Sequence, residues 1–333
     1  MSVVHKWLNY LLVVGSGKFN PLINVNSWAV ALAILSVFLI LLPRGLGNKY
    51  IGAGGLILAF FIPLKQLPDL QMLVFDVGQG TAIFVRTPHY QMVYDTGPIY
   101  TENFDAGSGI IVPYLQSQGI EHLDKLIVSH NDQDHSGGLT GVLAGTKVNQ
   151  LWMGEPEKFH KSDRDPIVEN CHEQQPWSWD KVNFRFITWP AQPQAKANNH
   201  SCVLLIEFNG QKILLTGDIE KDVERTLLAQ ESLTHMDILL APHHGSHTSS
   251  TPEFVAQVHP KNVIYSAGYH NQHGHPHVDV QQRYKSAGSI PLNTAFNGAL
   301  EFIWQDDLTH VRQYRQVMRR WWFDIDEEPE PAY

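Results

Sequence analysis

Short apolar runs of about five residues recur along the chain after residue 68, separated by polar turns rich in glycine and aspartate. Runs of this kind predict β-strands. Residues 71–75, 81–86 and 90–94 follow one another closely and predict an antiparallel meander. Further strands are predicted at residues 125–129, 148–152, 202–208, 213–215, 236–240, 262–266 and 299–304, the last of which is expected to close the sheet.

Helical segments are predicted between several of these strands. They cover residues 110–115, a helix beginning near 139, and residues 221–231 and 279–287. Residues 155–180 are polar and contain tryptophan, and this composition predicts an irregular surface insertion.

Residues 1–67 have a different pattern from the rest of the chain. No charged residue occurs from 19 to 43, and this run is long enough to span a bilayer. The second run, 50–64, is about 23 Å long as a helix, which is short against a hydrocarbon core of about 30 Å. A buried soluble helix pair is the alternative, and a signal peptide fits poorly because the apolar run starts late. The predicted boundaries are 1–67 for a membrane segment, 68–310 for a soluble domain, and 311–333 for a basic, aromatic helix followed by an acidic tail.

The segment between the two apolar runs contains Arg44 and Lys49. By the positive-inside rule these charges favour a cytoplasmic hairpin. Everything after Pro68 is then expected on the extracytoplasmic side of the inner membrane.

Charge and cysteine content restrict the function classes. The net charge of −9 is not typical of a nucleic-acid-binding protein, although bound metal ions would add local positive charge. Two cysteines exclude a disulfide framework and a cysteine-based zinc module. Cys202 opens an apolar run and is interpreted as a buried strand residue, while a bridge to Cys171 is the alternative in an oxidising compartment.

One polar loop, residues 129–138, holds four side chains that can bind metal within six positions: His130, Asp132, Asp134 and His135. Histidine together with carboxylate suits Zn²⁺ or Mn²⁺ rather than a thiolate site. The alternative is a solvated polar loop with two incidental histidines. The position of this loop directly after a predicted strand favours a functional role.

The same pattern, an apolar strand that ends in a metal-capable loop, occurs four times. The four loops contain 130–135, Asp218, His243 with His244, and 273–277. Strands of one common sheet ending at one rim would bring these loops together, which predicts a two-metal hydrolase site. Asp95 also ends a strand, and it is interpreted as a structural residue that accepts hydrogen bonds from backbone N–H groups.

A series of motifs resembles a known family. In chain order they are Phe-Asp-Val-Gly-Gln-Gly (75–80), Tyr-Asp-Thr-Gly (94–97), His-x-Asp-x-Asp-His (130–135), Asn-Asn-x-Ser (198–201), Leu-Thr-Gly-Asp (215–218), Pro-His-His-Gly-Ser (242–246) and Gly-His-Pro-His (274–277). Residues 70–305 resemble a metallo-β-lactamase fold and, within it, the C-terminal domain of the ComEC family of DNA-uptake channel proteins. The resemblance implies an α/β fold, an αββα sandwich preceded by one or two transmembrane helices. Residues 1–67 resemble the end of the family's membrane competence domain, and most of its channel is missing from this chain.

The resemblance implies a centre with two divalent metal ions, zinc or manganese. The expected metal ligands are His130, Asp132, Asp134, His135, Asp218 and His275, with His277 as the fallback for His275. Asp218 is expected to bridge the ions and Asp134 to polarise the attacking water. Asp132 stands where the family commonly has histidine, which favours harder ions such as Mn²⁺.

Other residues receive supporting roles in this interpretation. His243 or His244 is expected to complete the second metal or to protonate the leaving oxygen. Asn199 and Ser246 are expected to bind phosphate oxygens, and His200 is a candidate for the family's middle histidine.

The implied function is a metal-dependent nuclease that acts during DNA uptake. The expected partners are single-stranded DNA, the inner membrane, other competence proteins and the missing part of the channel. The alternatives are a small-substrate hydrolase (a phosphocholine esterase or a lactamase-type enzyme) and a non-catalytic DNA-binding module.

Overall fold

The structure is a computed structural model that describes residues 27–43, 46, 48–62, 67–159, 166–190, 196–231, 233–305 and 308–318. Two units are distinguished in it, and the second begins at Pro68. The first contains helices α1 (Ser27–Leu41) and α2 (Lys49–Phe61). Gly52 lets the helices approach closely, because a Cβ there would lie 2.7 Å from the Ser36 carbonyl oxygen.

No helix within the described ranges is both long enough and apolar enough to cross a membrane. The expected transmembrane helices are therefore unconfirmed. Residues 19–26 of the longer apolar run and Arg44 of the predicted hairpin lie outside the described residues.

The second unit contains two large sheets. The first has eight strands in the order β17-β16-β1-β2-β3-β6-β7-β8. Its strands are β1 (Leu70–Val74), β2 (Ala82–Arg86), β3 (Gln91–Thr96), β6 (His122–Val128), β7 (Lys147–Met153), β8 (Val168–Asn170), β16 (Leu300–Gln305) and β17 (Leu308–Gln313). The meander β1-β2-β3 is antiparallel, as predicted, whereas β3, β6, β7 and β8 run parallel.

The second sheet has seven strands in the order β15-β14-β13-β12-β11-β10-β9. They are β9 (Trp177–Trp179), β10 (Val182–Ile187), β11 (Val203–Phe208), β12 (Gln211–Leu215), β13 (Ile238–Leu240), β14 (Asn262–Tyr265) and β15 (Ile290–Asn293). A small separate hairpin consists of β4 (Ile99–Thr101) and β5 (Phe104–Asp105).

The described helices of the second unit are α3 (Val112–Ser117), α4 (Gln133–Ser136), α5 (Leu139–Gly145), α6 (Lys221–Ala229), α7 (Pro252–Val258), α8 (Val278–Ser286), α9 (Thr294–Asn297) and α10 (Tyr314–Val317). Helices α3 and α5 pack on the outer face of the first sheet, and α6, α7 and α8 pack on the outer face of the second. A π-helical turn, Gly107–Ile111, leads into α3.

Strand alternation separates the apolar side chains into three layers. Met72 of β1 faces a core shared by both sheets, whereas its neighbour Leu73 faces a core beneath α3 and α5. Leu205 of β11 faces a third core beneath α6, α7 and α8. This period of two is the expected result of strand geometry. The order of layers is helix, sheet, sheet, helix, so the αββα expectation is confirmed.

Three expectations about the fold are wrong in detail. The strand at 299–304 does not close its sheet, because β17 pairs along its outer edge. The predicted C-terminal helix does not begin at residue 311, because residues 311–313 belong to β17 and only the short helix α10 follows; residues 319–333 lie outside the described residues. The segment 155–180 is not only surface insertion, because Trp179 is buried in the central core and β8 and β9 extend the two sheets. Residues 160–165 of that segment are not described.

Candidate metal centre

The loop of residues 129–138, called the metal loop below, begins where β6 ends at the rim of the first sheet. β6 is buried along its second half, so Ser129 and His130 follow it directly into a buried position. The loop is held from the other side by the Thr81 backbone N–H, which donates to the Asp134 carbonyl oxygen at 3.0 Å. Gly80 makes this approach possible, since its φ is 131° and a Cβ there would lie 2.3 Å from that same oxygen.

Asp95, at the end of β3, orients both histidines of the metal loop. Its Oδ1 accepts from the Ser129 backbone N–H at 2.6 Å, as expected for a structural residue. Its Oδ2 accepts from the Ser129 hydroxyl at 2.9 Å and lies 2.7 Å from His135 Nδ1. An ionised carboxylate can only accept, so His135 Nδ1 donates to it and Nε2 is left facing the cluster.

The second histidine is oriented through the serine. The Ser129 hydroxyl donates a hydrogen bond to Asp95. The Ser129 oxygen therefore accepts a hydrogen bond from His130 Nδ1 at 3.0 Å. His130 Nε2 is then left buried without a hydrogen-bond partner. Asp95 thus orients both imidazoles toward the cluster, as the partners behind metal-binding histidines do.

Four side chains place ligand atoms within 4.8 Å of one another: Asp134, His135, Asp218 and His244. His135 Nε2 lies 3.0 Å from Asp218 Oδ1 and 3.2 Å from His244 Nε2. His244 Nε2 in turn lies 3.1 Å from Asp134 Oδ2. Asp218 Oδ2 lies 3.9 Å from His130 Nε2, so His130 borders the same cluster.

Unsatisfied polar atoms support a metal at this position. Among the described residues, His130 Nε2, Asp218 Oδ1 and His275 Nδ1 are buried and have no hydrogen-bond partner. His135 Nε2 is close to Asp218 Oδ1, but the contact lacks hydrogen-bond geometry. Buried polar atoms are rarely left unpaired, and coordination of a cation would satisfy these three. The nitrogen and oxygen donors therefore fit a divalent metal such as zinc or manganese.

The charges lead to the same conclusion. Burial would raise the pKa of Asp218, but His135 and His244 outweigh it and hold the pKa well below its ordinary value. Burial likewise opposes the lowered pKa of Asp134, which His135 and His244 produce. Two ionised carboxylates in so enclosed a site need compensating positive charge, from protonated imidazoles or from metal ions.

The turn Pro242–Gly245 brings His244 to the cluster. It follows β13, and both His243 (φ 51°, ψ 47°) and His244 (φ 54°, ψ 17°) adopt left-handed backbone conformations. Such conformations cost free energy in residues other than glycine, so the surrounding structure must hold them. The Ser249 hydroxyl donates to the Pro242 carbonyl oxygen at 2.8 Å, and the His243 backbone N–H donates to the Gly217 carbonyl oxygen at 3.2 Å.

His243 and Asp132 lie at the edge of the cluster. His243 Nε2 is 3.7 Å from Asp218 Oδ2, and its Nδ1 is 3.2 Å from the Thr248 hydroxyl. Asp132 is half-exposed, and its Oδ2 lies 3.6 Å from His130 Nε2.

The loop after β14 contains four histidines, at positions 270, 273, 275 and 277, and His275 is the one that lies beside the clustered histidines. Its ring centre lies 5.6 Å from that of His243 and 6.2 Å from that of His244. Burial and the neighbouring His244 lower its pKa to about 4, which leaves the imidazole neutral. His277 instead caps α8, accepting from the Asp279 backbone N–H, so the structure gives no support to it as the fallback ligand. His273 is exposed.

Three other candidates have local hydrogen bonds. The Asn199 side-chain oxygen accepts from the Glu220 backbone N–H, and the Ser246 hydroxyl is 3.2 Å from that of Thr248. Their phosphate-binding roles stay predictions. The His200 backbone carbonyl accepts from His172 Nε2, and its ring is not among the clustered ligands of the described residues.

Two features of the site were missed or misassigned from sequence. The strands that carry these loops belong to two sheets, not to one common sheet, because β6 lies in the first and β12, β13 and β14 lie in the second. Ser201 was not singled out, yet its hydroxyl accepts from the Asp218 backbone N–H at 3.0 Å. The Asn-Asn-x-Ser motif, which ends at this serine, was the available signal.

Cys171 and Cys202 form a disulfide beneath the loop that contains Ser201. The bridge was the less favoured alternative from sequence. Cys202 is also buried, as its apolar surroundings predicted.

Residues 75–270 match the family described as Metallo-beta-lactamase superfamily. The match covers more than half of the chain and includes the metal loop, Asp218 and the His243–His244 turn. The chain belongs to this superfamily.

Curated relatives extend the assignment and confirm the resemblance to competence proteins. The chain is 36% identical over 279 residues to competence protein ComA of Neisseria gonorrhoeae, an alignment that covers 82% of this chain and 38% of the relative. It is 29% identical over 326 residues to ComE operon protein 3 of Bacillus subtilis, covering 89% and 42%. Recombination protein 2 of Haemophilus influenzae is 31% identical over 322 residues, covering 94% and 40%. The chain thus spans about two fifths of the length of these relatives.

A solved structure has a similar fold at low sequence identity. The metallo-beta-lactamase fold protein YhfI from Bacillus subtilis superposes with a TM-score of 0.46 at 12% identity. The superposition covers 68% of this chain and 96% of that one.

Proposed function

We propose that the cluster binds two divalent metal ions and hydrolyses phosphodiester bonds of DNA. The observation that carries this proposal is the meeting of two ionised carboxylates, Asp134 and Asp218, with His135 and His244 in a nearly closed site. Histidine and carboxylate donors without thiolates match the hydrolytic metal centres in which ions activate water and stabilise a transferring phosphoryl group.

The residues of the cluster would have different roles in the reaction. Asp218 would bridge the ions, since its two oxygens face His135 on one side and His130, His243 and His244 on the other. Asp134 would hold the attacking water. His130 and His135 would be ligands in the tautomers that Asp95 sets, and His275 is a further proposed ligand.

The two edge residues would tune the reaction. Asp132 would add an oxygen donor and favour a harder ion such as Mn²⁺. His243 is part-exposed beside Asp218, a position from which it would protonate the leaving oxygen. Asn199 and Ser246 are proposed to bind phosphate oxygens.

We further propose that the activity serves DNA uptake at the inner membrane, together with other competence proteins and a membrane channel. Relatives named competence protein ComA and ComE operon protein 3 support this role. The apolar segment 1–67 is proposed as the membrane anchor. The Cys171–Cys202 bridge supports an extracytoplasmic location for the metal centre, because disulfides persist in oxidising compartments.

The test is cleavage of single-stranded DNA by the full chain in Mn²⁺ and in Zn²⁺, compared with D134A. Phosphocholine esters and β-lactams are offered in parallel. We expect metal-dependent cleavage of DNA that falls at least 100-fold in D134A, because removing a catalytic acid or base typically costs this much. Hydrolysis of a small substrate alone, or metal binding without cleavage of any substrate, would refute the nuclease assignment.

A further inference from the structure

We propose that the hairpin β4–β5 and Lys158 form a binding surface for a single-stranded nucleic acid. Bases would stack on Tyr100 and Phe104, and Lys158 would bind a backbone phosphate. This inference rests on the proposed phosphodiesterase function and deepens it, because it locates the contacts that distinguish a polymeric strand from a small phosphodiester.

The hairpin exposes two aromatic rings. Tyr100 is 40% exposed and Phe104 is 49% exposed, although both side chains are large and apolar. Their ring centres are 5.4 Å apart with an interplanar angle of 32°. Adjacent exposed aromatic rings on a soluble domain indicate a contact surface, and every nucleobase has a face that stacks on such rings.

The hairpin is fixed beside the end of the metal loop. The Tyr100 hydroxyl donates to the Val77 carbonyl oxygen at 2.9 Å. Phe104 lies over Gly109, where a Cβ would come within 2.4 Å of its ring. At Gly137, in the metal loop itself, a Cβ would come within 2.5 Å of the Ile99 backbone nitrogen. The two rings therefore belong to a hairpin whose backbone is fixed in place and contacts the metal loop.

Lys158 stands beside the start of the same loop. Glu155 is buried, and its two oxygens divide between the Asn131 backbone N–H at 3.1 Å and Lys158 Nζ at 2.5 Å. Asn131 lies between His130 and Asp132 in the metal loop. The Lys158 side chain is 44% exposed, and an ammonium group has three donors, so Glu155 can hold it while a phosphate binds.

The two ends of the metal loop thus carry complementary chemistry. Near the start of the loop lies Lys158, which is ion-paired with Glu155. Near its end lie the exposed rings of Tyr100 and Phe104. A ligand with alternating phosphates and planar bases fits both, whereas a duplex keeps its base faces stacked inside. In a chain of net charge −9, such local contacts are needed if a polyanion is to bind at all.

The experiment compares a long and a short substrate of the full chain in Mn²⁺. The variants are Y100L/F104L and K158Q, and the substrates are a single-stranded oligothymidylate and bis-p-nitrophenyl phosphate. We expect Y100L/F104L to raise KM for the oligonucleotide about tenfold or more, since stacking is worth about 1–3 kcal/mol per base, and to leave the small substrate unchanged. K158Q should lower the slope of log KM against log salt for the oligonucleotide by about 0.7, the value for one phosphate of a single strand.

Matched variants separate stacking from structure. Y100F keeps the ring and loses the hydrogen bond to Val77, so it should behave like the unchanged protein. Y90L removes a ring that is 39% exposed but stacks on Trp179, and K212Q removes a lysine that lies 3.9 Å from Glu207 at the start of β12. Both should leave the oligonucleotide KM unchanged.

Two outcomes would overturn the inference. One is an unchanged oligonucleotide KM in Y100L/F104L and an unchanged salt slope in K158Q. The other is an equal loss for both substrates, which would mean that the hairpin only supports the metal loop. If the unchanged protein cleaves neither substrate, the proposed function fails instead. Fluorescence anisotropy with a labelled oligonucleotide then tests the surface by itself, and equal binding by Y100L/F104L and the unchanged protein would contradict it.

Discussion

The Oδ2 atom of Asp95 lies 2.7 Å from Nδ1 of His135, and both side chains are completely buried. Asp95 also reaches His130 through the Ser129 hydroxyl. One carboxylate therefore fixes the tautomers of two proposed metal ligands. Partners of this kind, which orient a ligand without touching the metal, typically contribute strongly to metal affinity.

We predict that D95N lowers the affinity for Mn²⁺ about 10- to 100-fold. Asparagine has one acceptor oxygen, so its NH₂ group would face a donor, either the Ser129 N–H or His135 Nδ1–H. Chelator competition measures the affinity. The matched control is D180N, whose carboxylate pairs with His89 Nδ1 at 2.8 Å on an exposed surface. Equal effects of the two variants would show that Asp95 has no special relation to the metal.

Removal of metal should lower the stability of the domain. Without a cation, His130 Nε2 and Asp218 Oδ1 stay buried and unpaired, and such groups cost about 1–3 kcal/mol each. Metal at 100 times its Kd should add about 2.7 kcal/mol to the free energy of unfolding. Thermal unfolding with and without a chelator checks this. An identical Tm in both conditions would be inconsistent with a metal at these atoms.

We expect E224Q to destabilise the contact between α6 and residues 250–251, which precede α7. The Glu224 carboxylate accepts from two backbone N–H groups, at Ser250 and Thr251, and glutamine offers a single oxygen. One buried donor is left unpaired, at a cost of about 1–3 kcal/mol. Chemical denaturation measures the loss in the free energy of unfolding. E253Q, an exposed change in the first turn of α7, is the control and should leave that free energy unchanged. Equal stability of E224Q and the unchanged protein would contradict the prediction.

Lys125 provides a test of pH dependence away from the metal centre. Burial lowers its pKa to about 8, and its ammonium lies 3.5 Å from the centre of the Trp152 ring. The folded state loses this proton near pH 8, whereas the unfolded chain keeps it to about pH 10.4. Between these values the unfolded state binds more protons, so the free energy of unfolding should rise with pH, by roughly 1–3 kcal/mol.

K125M should remove this pH-dependent rise in the free energy of unfolding. The stability of the unchanged protein relative to K125M should therefore increase from pH 8 to pH 10. Denaturation at several pH values measures it. K261M, at an exposed lysine, should keep the full pH dependence. A parallel pH dependence in K125M and the unchanged protein would exclude the burial effect.

The local parts of this site could be predicted from the sequence. Four possible ligand side chains within six residues after an apolar strand indicate the metal loop, and the chain order of the motifs indicates the fold. Asp218 and the His243–His244 pair follow from the same rule, that functional side chains lie at strand ends. His275 was chosen from three histidines by resemblance, and its position near His244 agrees with that choice.

Long-range pairing could not be predicted from the same patterns. The apolar composition of β1 indicates a buried strand, but not that Leu70 pairs with Trp304 or that a further strand follows β16. A period of two also does not say to which of two sheets a strand belongs. The tautomer-setting role of Asp95 depends on a contact with His135, forty residues later, that no spacing rule contains.

The central claim is that Asp218 organises a metal centre that cleaves phosphodiester bonds. The most direct measurement is the hydrolysis rate of bis-p-nitrophenyl phosphate by chelator-treated full chain as Mn²⁺ is added, in the unchanged protein and in D218N. We predict a rate that rises from background and saturates with Mn²⁺ in the unchanged protein, and a rate lower by at least about 100-fold in D218N at every concentration. Metal-independent hydrolysis, or equal rates in the two proteins, would contradict the claim.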